Sequence, residues 1–241
     1  LSVRMIIDWM AFSSSRTLPG QLWRISADGK AALIDQTGTS NGVEVSPDQR
    51  WLYVNESAQR KVWAYPLNDQ LETGAKKLLI EFADFGLDGM RCDSNGNLYI
   101  ARYGKGTVVN LSPAGAVLKE FNLHGQFPTN VALSPDERTL YVAQSDGQAT
   151  LWMSFPVAPD GSTGEGVVFK EVTAMGKELP GSCDGLKVDE RGNLWATGPG
   201  GVHVMAPDGT LLGRIETGQF TSNCTFGGKE GTTLFMTADM Y

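Results

Sequence analysis

Short segments in which apolar and polar residues alternate recur along the chain, separated by turn-forming residues. Each recurring unit starts with a polar residue and a short apolar strand, passes through a turn such as S-P-D or D-x-x-G-N, and enters a strand of the type L-Y-V. The five copies are NGVEVSPDQRWLYVNES, DGMRCDSNGNLYIARY, NVALSPDERTLYVAQSD, DGLKVDERGNLWATGP and NCTFGGKEGTTLFMTAD. Period-2 alternation between turn signals predicts β-strands, and no stretch shows sustained helical periodicity.

The spacing of the copies indicates how the strands are organised. The copies start at positions 41, 88, 130, 184 and 223, which are 47, 42, 54 and 39 residues apart. A third strand follows in KVWAYPL, GTVVNLS, LWMSFPV and GVHVMAP, and a more polar fourth strand in KKLLIEF, AVLKEFNL, GVVFKEV and LLGRIET. Four short strands per period of this length are typical of a propeller blade. We therefore predict an all-β fold, a β-propeller of four-stranded blades, with residues 1–241 as a single domain.

The two ends of the chain complicate the blade count. VRMIIDWMAF aligns with the second strand of a blade, and QLWRIS and KAALI follow as third and fourth strands, whereas the last copy stops after its second strand. Five inner strands can be counted. Either a sixth blade is incomplete, or the N-terminal strands complete the blade that the C-terminal strands begin, which is a common way to close a propeller.

Composition and charge narrow the range of partners. The formal net charge is −7, so we expect neither nucleic acid nor an anionic membrane surface as a partner, because either needs a basic patch. No apolar run has the length of a membrane helix. We expect a soluble cytoplasmic or periplasmic protein, monomeric or homodimeric, that takes a small-molecule substrate. The three cysteines lack zinc-site spacing and do not identify the compartment.

The first residue of each copy is a candidate ligand. Inner strands run beside the channel of a propeller, so residues at one register should form a ring at one mouth. Asn41, Asp88, Asn130, Asp184 and Asn223 are predicted to share that register. Carboxylate and amide oxygens suit a hard cation such as Ca²⁺. The alternative is turn chemistry, because Asn and Asp before Gly are ordinary turn residues.

Several segments together resemble one known family. PGQLWRISADGK, SNGVEVSPDQRWLYVNES, FGLDGMRCDSNGNLYIARYGKG, DGLKVDERGNLWATGPGGVHVMAPDGTLLG and SNCTFGG are similar to SMP-30/gluconolactonase/luciferin-regenerating-enzyme proteins. The resemblance covers nearly the whole chain. It implies a six-bladed propeller with one divalent metal ion, usually calcium, in its channel. It also implies hydrolysis of lactones, with organophosphates as substrates of some relatives.

The same resemblance implies metal ligands. The family holds its metal with a Glu from the first blade, an Asn from an N-G element and an Asp from a D-G element, and another Asn commonly lies nearby. Asn41 and Asp88 match the N-G and D-G elements, and Asn130 and Asp184 match them again. This chain departs from the family in carrying that pair twice. It also has no match to the E-G-P-x-W element that supplies the Glu, and Glu44 does not replace it.

Two functional hypotheses follow. The first is a metal-dependent lactone or ester hydrolase in which Asn41, Asp88, Asn130 and Asp184 hold Ca²⁺ or another hard divalent cation. Asp184 or Asp88 is then the catalytic base, and Asn223, His124 and Arg102 are candidates for substrate binding. The second is a propeller that binds a ligand or partner without catalysis, as a truncated, rearranged or engineered member of the family would.

Overall fold

Twenty-one β-strands make up almost all the regular structure of the computed structural model, which describes residues 8–12, 20–26, 28–228 and 230–239. A single turn of 3₁₀ helix spans Met175–Lys177. The strands are β1 Asp8–Phe12, β2 Gly20–Ile25, β3 Ala31–Thr37, β4 Ser40–Val45, β5 Trp51–Glu56, β6 Lys61–Pro66, β7 Lys77–Glu81, β8 Met90–Cys92, β9 Leu98–Arg102, β10 Thr107–Leu111, β11 Val117–Asn122, β12 Pro128–Leu133, β13 Thr139–Asp146, β14 Ala149–Pro156, β15 Val167–Glu171, β16 Leu186–Val188, β17 Leu194–Gly198, β18 Gly201–Met205, β19 Leu211–Glu216, β20 Thr221–Gly227 and β21 Thr233–Ala238.

The strands form antiparallel blades. Four sheets have four strands in chain order, namely β4–β7, β8–β11, β12–β15 and β16–β19. The first strands of consecutive sheets contact one another, from β4 through β8, β12 and β16 to β20. They therefore lie side by side around a common channel. The predicted all-β propeller with four-stranded blades is confirmed.

The two ends form separate sheets. β1–β2–β3 is a three-stranded sheet and β20–β21 a two-stranded one. β1 contacts β4 as β9 contacts β12 and β17 contacts β20, so β1 has the position of a second strand, as predicted. Within the described ranges no hydrogen-bonded ladder joins β21 to β1. These residues thus form six sheets, of which the first and last are incomplete. Of the two alternatives for the chain ends, the described residues show the incomplete sheets and no pairing between them.

The turns between inner and second strands follow their sequence signal. In the D-S-N-G-N turn, Asp93 Oδ1 accepts hydrogen bonds from the amides of Asn95 (3.0 Å) and Asn97 (2.8 Å). Gly96 supplies the left-handed backbone that the turn needs, with φ 82°. The D-E-R-G-N turn repeats the arrangement around Asp189. The turn therefore fixes where β8 and β16 end.

The hydrophobic core lies between neighbouring blades. One cluster packs Tyr53 and Val62 of the β4–β7 blade against Leu87, Met90 and Ile100 at the next blade. Two further clusters join the following pairs of blades in the same way. Burying these side chains contributes roughly 1.5–3 kcal/mol each before the entropy cost of ordering them. No helix in the described part of the chain is long and apolar enough to cross a membrane.

Candidate functional site

A β-bulge lies in or immediately before each inner strand at the predicted ring. In each case two residues of the inner strand oppose one residue of the second strand. In the β8 blade the Asp88 amide donates to Ala101 O (2.9 Å) and the Ala101 amide donates to Gly89 O (3.0 Å). The five bulge pairs are Asn41–Gly42, Asp88–Gly89, Thr129–Asn130, Asp184–Gly185 and Ser222–Asn223. Bulges re-aim side chains and are common beside functional sites.

The bulges correct the predicted register. Asn41, Asp88 and Asp184 are the first residue of their bulge, whereas Asn130 and Asn223 are the second and occupy the place of the glycine. The prediction of one shared register is therefore wrong. The signal was present in the sequence, because Asn41 is five residues before Ser46 and Asn130 is four before the equivalent Ser134.

The glycines of the N-G and D-G elements do not serve turn geometry. Gly42, Gly89 and Gly185 are absent from the left-handed region of φ among the described residues. A Cβ at Gly89 would overlap the Asn130 carboxamide, and one at Gly185 would overlap that of Asn223. These glycines are therefore explained by close packing and not by a left-handed turn. The missing side chain lets the neighbouring inner strand approach closely.

Neighbouring bulges are also joined through the backbone. The Gly89 amide donates to Thr129 O (2.8 Å), and the Gly185 amide donates to Ser222 O (2.9 Å). Asn130 Oδ1 accepts from its neighbouring Val131 amide at 3.0 Å. Asn223 makes the same bond with Cys224 at 2.9 Å. The same local structure therefore occurs twice, once in Asp88–Gly89 with Asn130 and once in Asp184–Gly185 with Asn223.

One buried amide on a second strand fixes the remaining bulge. Asn55 Oδ1 accepts from the Gly42 amide (3.1 Å), and Asn55 Nδ2 donates to Asp88 O (2.5 Å). Asn55 has no solvent exposure. Because one side chain bonds two adjacent blades, it sets the position of Asn41 relative to Asp88. Sequence analysis did not single out Asn55.

Asp88 and Asp184 lie close enough to repel each other and are half-buried. Burial raises the pKa of Asp88 well above its usual range, and the Asp184 charge raises it further. Hydrogen bonds from the Asn41 side chain and the Gly89 amide partly oppose this. Burial raises the pKa of Asp184 to about 6, against the favourable charge of Lys187. Neither carboxylate forms an ion pair within the described part of the chain.

A charged layer, defined as Glu44, Arg91 and Lys187, lies three residues beyond the first bulge residues. Arg91 Nη1 pairs with Glu44 Oε2 at 2.9 Å. Lys187 Nζ donates to Leu186 O at 3.2 Å. Burial lowers the pKa of Lys187 to about 8, and the positive charge of Arg91 lowers it as well. Each of the three charged residues follows Asn41, Asp88 or Asp184 by three positions, so the sequence contained a signal for this layer. We did not predict the layer from that spacing.

The three candidates for substrate binding lie in different settings. Asn223 is exposed beside Gly185. His124 is exposed in the loop before β12, where only its backbone is bonded among the described contacts. Arg102 is only 1% exposed, with its guanidinium bonded to Asp84 Oδ1 (2.8 Å) and stacked 3.9 Å from the Phe82 ring centroid. This burial argues against a substrate contact by Arg102, because its guanidinium is bonded to Asp84 within the protein.

Comparison with known proteins identifies the family. The profile of the SMP-30/Gluconolactonase/LRE-like region matches residues 4–145 and 126–239. The chain belongs to this family. A gluconolactonase of Zymomonas mobilis is 30% identical over 228 residues, covering 83% of this chain and 60% of that protein. A 6-deoxy-6-sulfogluconolactonase of Pseudomonas putida is 37% identical over 131 residues, covering 52% of this chain and 45% of that protein.

The fold agrees with that assignment. A solved gluconolactonase of Xanthomonas campestris superimposes with a TM-score of 0.74 at 25% identity, covering 95% of this chain and 79% of that one. The family resemblance predicted from sequence is confirmed. This SMP-30/gluconolactonase-family chain nevertheless spans only about half to three fifths of the length of the curated relatives it matches.

Proposed function

We propose that this chain carries the catalytic channel of a metal-dependent hydrolase that opens a lactone or a related cyclic ester. The observation that carries the proposal is the pair of half-buried carboxylates, Asp88 and Asp184, which repel each other and form no ion pair among the described residues. Half-buried carboxylates of raised pKa are typical of sites that bind a cation or move protons. Family members named gluconolactonase support the lactone as substrate.

The donor set fits calcium or another hard divalent cation. Two carboxylates and several amide oxygens offer only hard oxygen ligands, and a cation would neutralise the repulsion between Asp88 and Asp184. The holding residues would be Asn41, Asp88, Asn130 and Asp184. Asn130 Oδ1 already accepts one hydrogen bond, but a carbonyl oxygen has a second lone pair for a metal. When bound, such a cation polarises the ester carbonyl and orients water.

The remaining chemistry falls to side chains of this chain. Without a cation the pKa of Asp184 is about 6, so this side chain is mostly ionised at neutral pH. To act as the base it would keep one carboxylate oxygen free of the metal, because a bound cation lowers the pKa of its ligands. Water attacks the carbonyl carbon while Asp184 takes its proton. The tetrahedral oxyanion then collapses, the ring C–O bond breaks, and the proton passes to the departing alkoxide. Side-chain amide N–H groups at the channel mouth, including that of Asn223, would donate hydrogen bonds to the oxyanion.

The test is hydrolysis of glucono-1,5-lactone, with and without a chelator, by the wild type, Asp184→Asn and Asp88→Asn. We expect chelation to abolish turnover and added Ca²⁺ to restore it. Asp184→Asn should lower kcat by about 10²–10⁴, the usual contribution of a general base. Asp208→Asn, in an exposed turn, is the matched control. Full turnover in excess chelator would exclude the metal, and full turnover by Asp184→Asn would exclude its role as base.

A ligand-binding propeller without catalysis is the second candidate. The observation that favours it is the small number of acidic ligands, because no group of three His, Cys, Asp or Glu side chains suited to a metal occurs in the described ranges. A calcium titration followed by thermal melting separates the two. A Tm that does not respond to Ca²⁺, together with no lactone turnover, supports the non-catalytic candidate, whereas a Ca²⁺-dependent rise in Tm with turnover supports the hydrolase.

A further inference from the structure

Three aromatic residues lie on the loops that surround Asp88. Phe85 precedes Asp88 in the β7–β8 loop, Tyr103 follows β9, and Phe127 precedes β12. Backbone hydrogen bonds hold these segments together, since the Gly86 amide donates to Tyr103 O and the Gly104 amide donates to Gln126 O, both at 2.9 Å. The three side chains therefore belong to one rim, on the side of the channel where the bulges lie.

Two of the three rim residues are exposed aromatic side chains. Tyr103 is 41% exposed and Phe85 is 49% exposed. The rings of Tyr103 and Phe127 pack with centroids 5.1 Å apart at 44°. Single exposed apolar residues are ordinary, but a contiguous apolar patch beside a polar site is typical of ligand binding.

Phe85 also occupies an unusual backbone conformation. Its φ of 48° is in the left-handed region, which bulky residues rarely adopt. A Cβ at Gly104 would lie 3.3 Å from Phe85 Cδ1, so the glycine leaves room for the ring. Backbone strain of this kind costs about 1–3 kcal/mol and clusters at ligand clamps. The neighbouring structure thus holds an aromatic side chain in an exposed, strained position.

The rim lies within electrostatic reach of the two carboxylates. Burial raises the pKa of Tyr103, and the negative charges of both Asp88 and Asp184 raise it further. The backbone shows the same proximity, since the Asp88 amide donates to Ala101 O and the Gly86 amide donates to Tyr103 O, both at 2.9 Å. Tyr103 therefore lies across the blade from the segment that leads into Asp88. A ligand whose carbonyl meets the carboxylate mouth would bring its ring to Tyr103 and Phe127.

We propose that Tyr103 and Phe127 form an aromatic wall on which the C–H face of a cyclic substrate stacks while its ester carbonyl faces Asp88 and Asp184. This inference rests on the proposed function and names how the ring of the substrate is recognised. Flat aromatic faces favour the axial C–H groups of a pyranose or furanose lactone over a flexible acyclic ester. The wall therefore selects for ring-shaped substrates.

The experiment compares Phe127→Leu, Tyr103→Leu and Tyr103→Phe with the wild type on glucono-1,5-lactone. Loss of one aromatic contact should raise KM about three- to tenfold, with kcat changed less than about twofold. Tyr103→Phe restores an aromatic ring and should recover most of the affinity lost in Tyr103→Leu. Phe235→Leu is the control, because Phe235 is 54% exposed on β21, outside the three rim segments. An unchanged KM in both Phe127→Leu and Tyr103→Leu would contradict the proposed aromatic wall.

A binding measurement separates failure of the wall from failure of the hydrolase. The probe is 1,5-anhydroglucitol, a pyranose without an ester, followed by saturation-transfer NMR. If the wild type hydrolyses no lactone, the proposed activity fails, and the wall still predicts ring contacts that both Leu variants weaken. Equal transfer in the wild type and both Leu variants, or none in the wild type, would contradict the wall. The Tm of each variant confirms that folded protein is compared.

Discussion

Gly89 lies directly against the side chain of Asn130, so the inner strand of one blade leaves room for the amide of the next. Gly185 and Asn223 repeat the relationship two blades further on. In each pair the glycine amide also donates to the carbonyl just before the Asn, at 2.8 and 2.9 Å. The glycine and the polar residue before it thus have separate roles. In the proposed site the polar side chain would provide a ligand atom, and the glycine lets the Asn of the next blade approach it.

Replacement of Gly89 by Ala should therefore damage both stability and the site. The added methyl group overlaps the Asn130 carboxamide, so either the side chain or the strand must move. We expect a loss of about 1–3 kcal/mol in the free energy of unfolding, as for other overpacked positions. Urea unfolding measures this loss. Lactone turnover and the Ca²⁺-dependent rise in Tm should fall with it.

Gly213→Ala is the matched control for this substitution. Gly213 lies on β19, and a Cβ there would meet no atom within 4 Å. We expect its stability to be unchanged or slightly raised, because Ala loses less backbone entropy on folding. Similar losses for Gly89→Ala and Gly213→Ala would show that the contact with Asn130 is unimportant.

Most of the blade architecture could be predicted from the sequence because it depends on local patterns. Alternation along strands and turns such as that around Gly96 act within a few residues, and all four complete blades follow them. The register of Asn130 could not be read from the same pattern by eye. Thr129, five residues before Ser134, has the place of Asn41, five residues before Ser46, so Asn130 falls on the second position of its bulge.

The candidate site was less predictable because it depends on contacts between blades. Asp88 and Asp184 were predicted from their D-G elements, but their mutual repulsion depends on packing around the channel. Asn55 has no sequence signal of its own, since an Asn after L-Y-V is compatible with an exposed strand end. Its burial against Gly42 and Asp88 follows only from the approach of the next blade.

Asn55→Ala should destabilise the fold more than other Asn truncations. The substitution removes the acceptor of the Gly42 amide and the donor to Asp88 O at a fully buried position. Leaving buried polar groups unpaired costs about 1–3 kcal/mol. Urea unfolding should show this loss, whereas Asn122→Ala, on the exposed face of β11, should lie within about 0.5 kcal/mol of the wild type. Equal effects of the two variants would contradict the role of Asn55.

Arg102→Met tests whether Arg102 stabilises the blade or binds the substrate. The guanidinium bonds Asp84 and Glu120 and stacks on Phe82, so its loss should cost roughly 1–3 kcal/mol of unfolding free energy. The lower part of that range is expected because both carboxylates keep contact with solvent. Lys105→Met removes a more exposed cation near the same carboxylates and should cost less than about 1 kcal/mol. A raised KM for Arg102→Met with unchanged stability would restore the prediction that Arg102 binds substrate.

Asp184 should make the chelated protein less stable as the pH rises. Its pKa is about 6 in the folded protein against an ordinary value of 3.8, so the folded state binds more protons between these values. Stability is then lost as the pH rises from about 4 to about 6, by up to roughly 3 kcal/mol. Asp184→Asn removes this titration, so the free energy of unfolding of the variant should rise relative to that of the wild type over the same pH interval. Urea unfolding in chelator from pH 4 to 7 measures the difference.

Asp208→Asn provides a control of opposite sign. The Thr210 amide lowers the pKa of Asp208, so that carboxylate favours folding above its pKa and its loss should not stabilise the protein at pH 7. Parallel pH curves for the wild type and Asp184→Asn would contradict the proposed environment of Asp184. Added Ca²⁺ should raise the wild-type stability most above pH 6, where Asp184 is ionised, because a bound cation offsets the charge that burial penalises. The same addition should leave Asp184→Asn nearly unchanged, since the variant lacks one of the two carboxylates that would hold the ion.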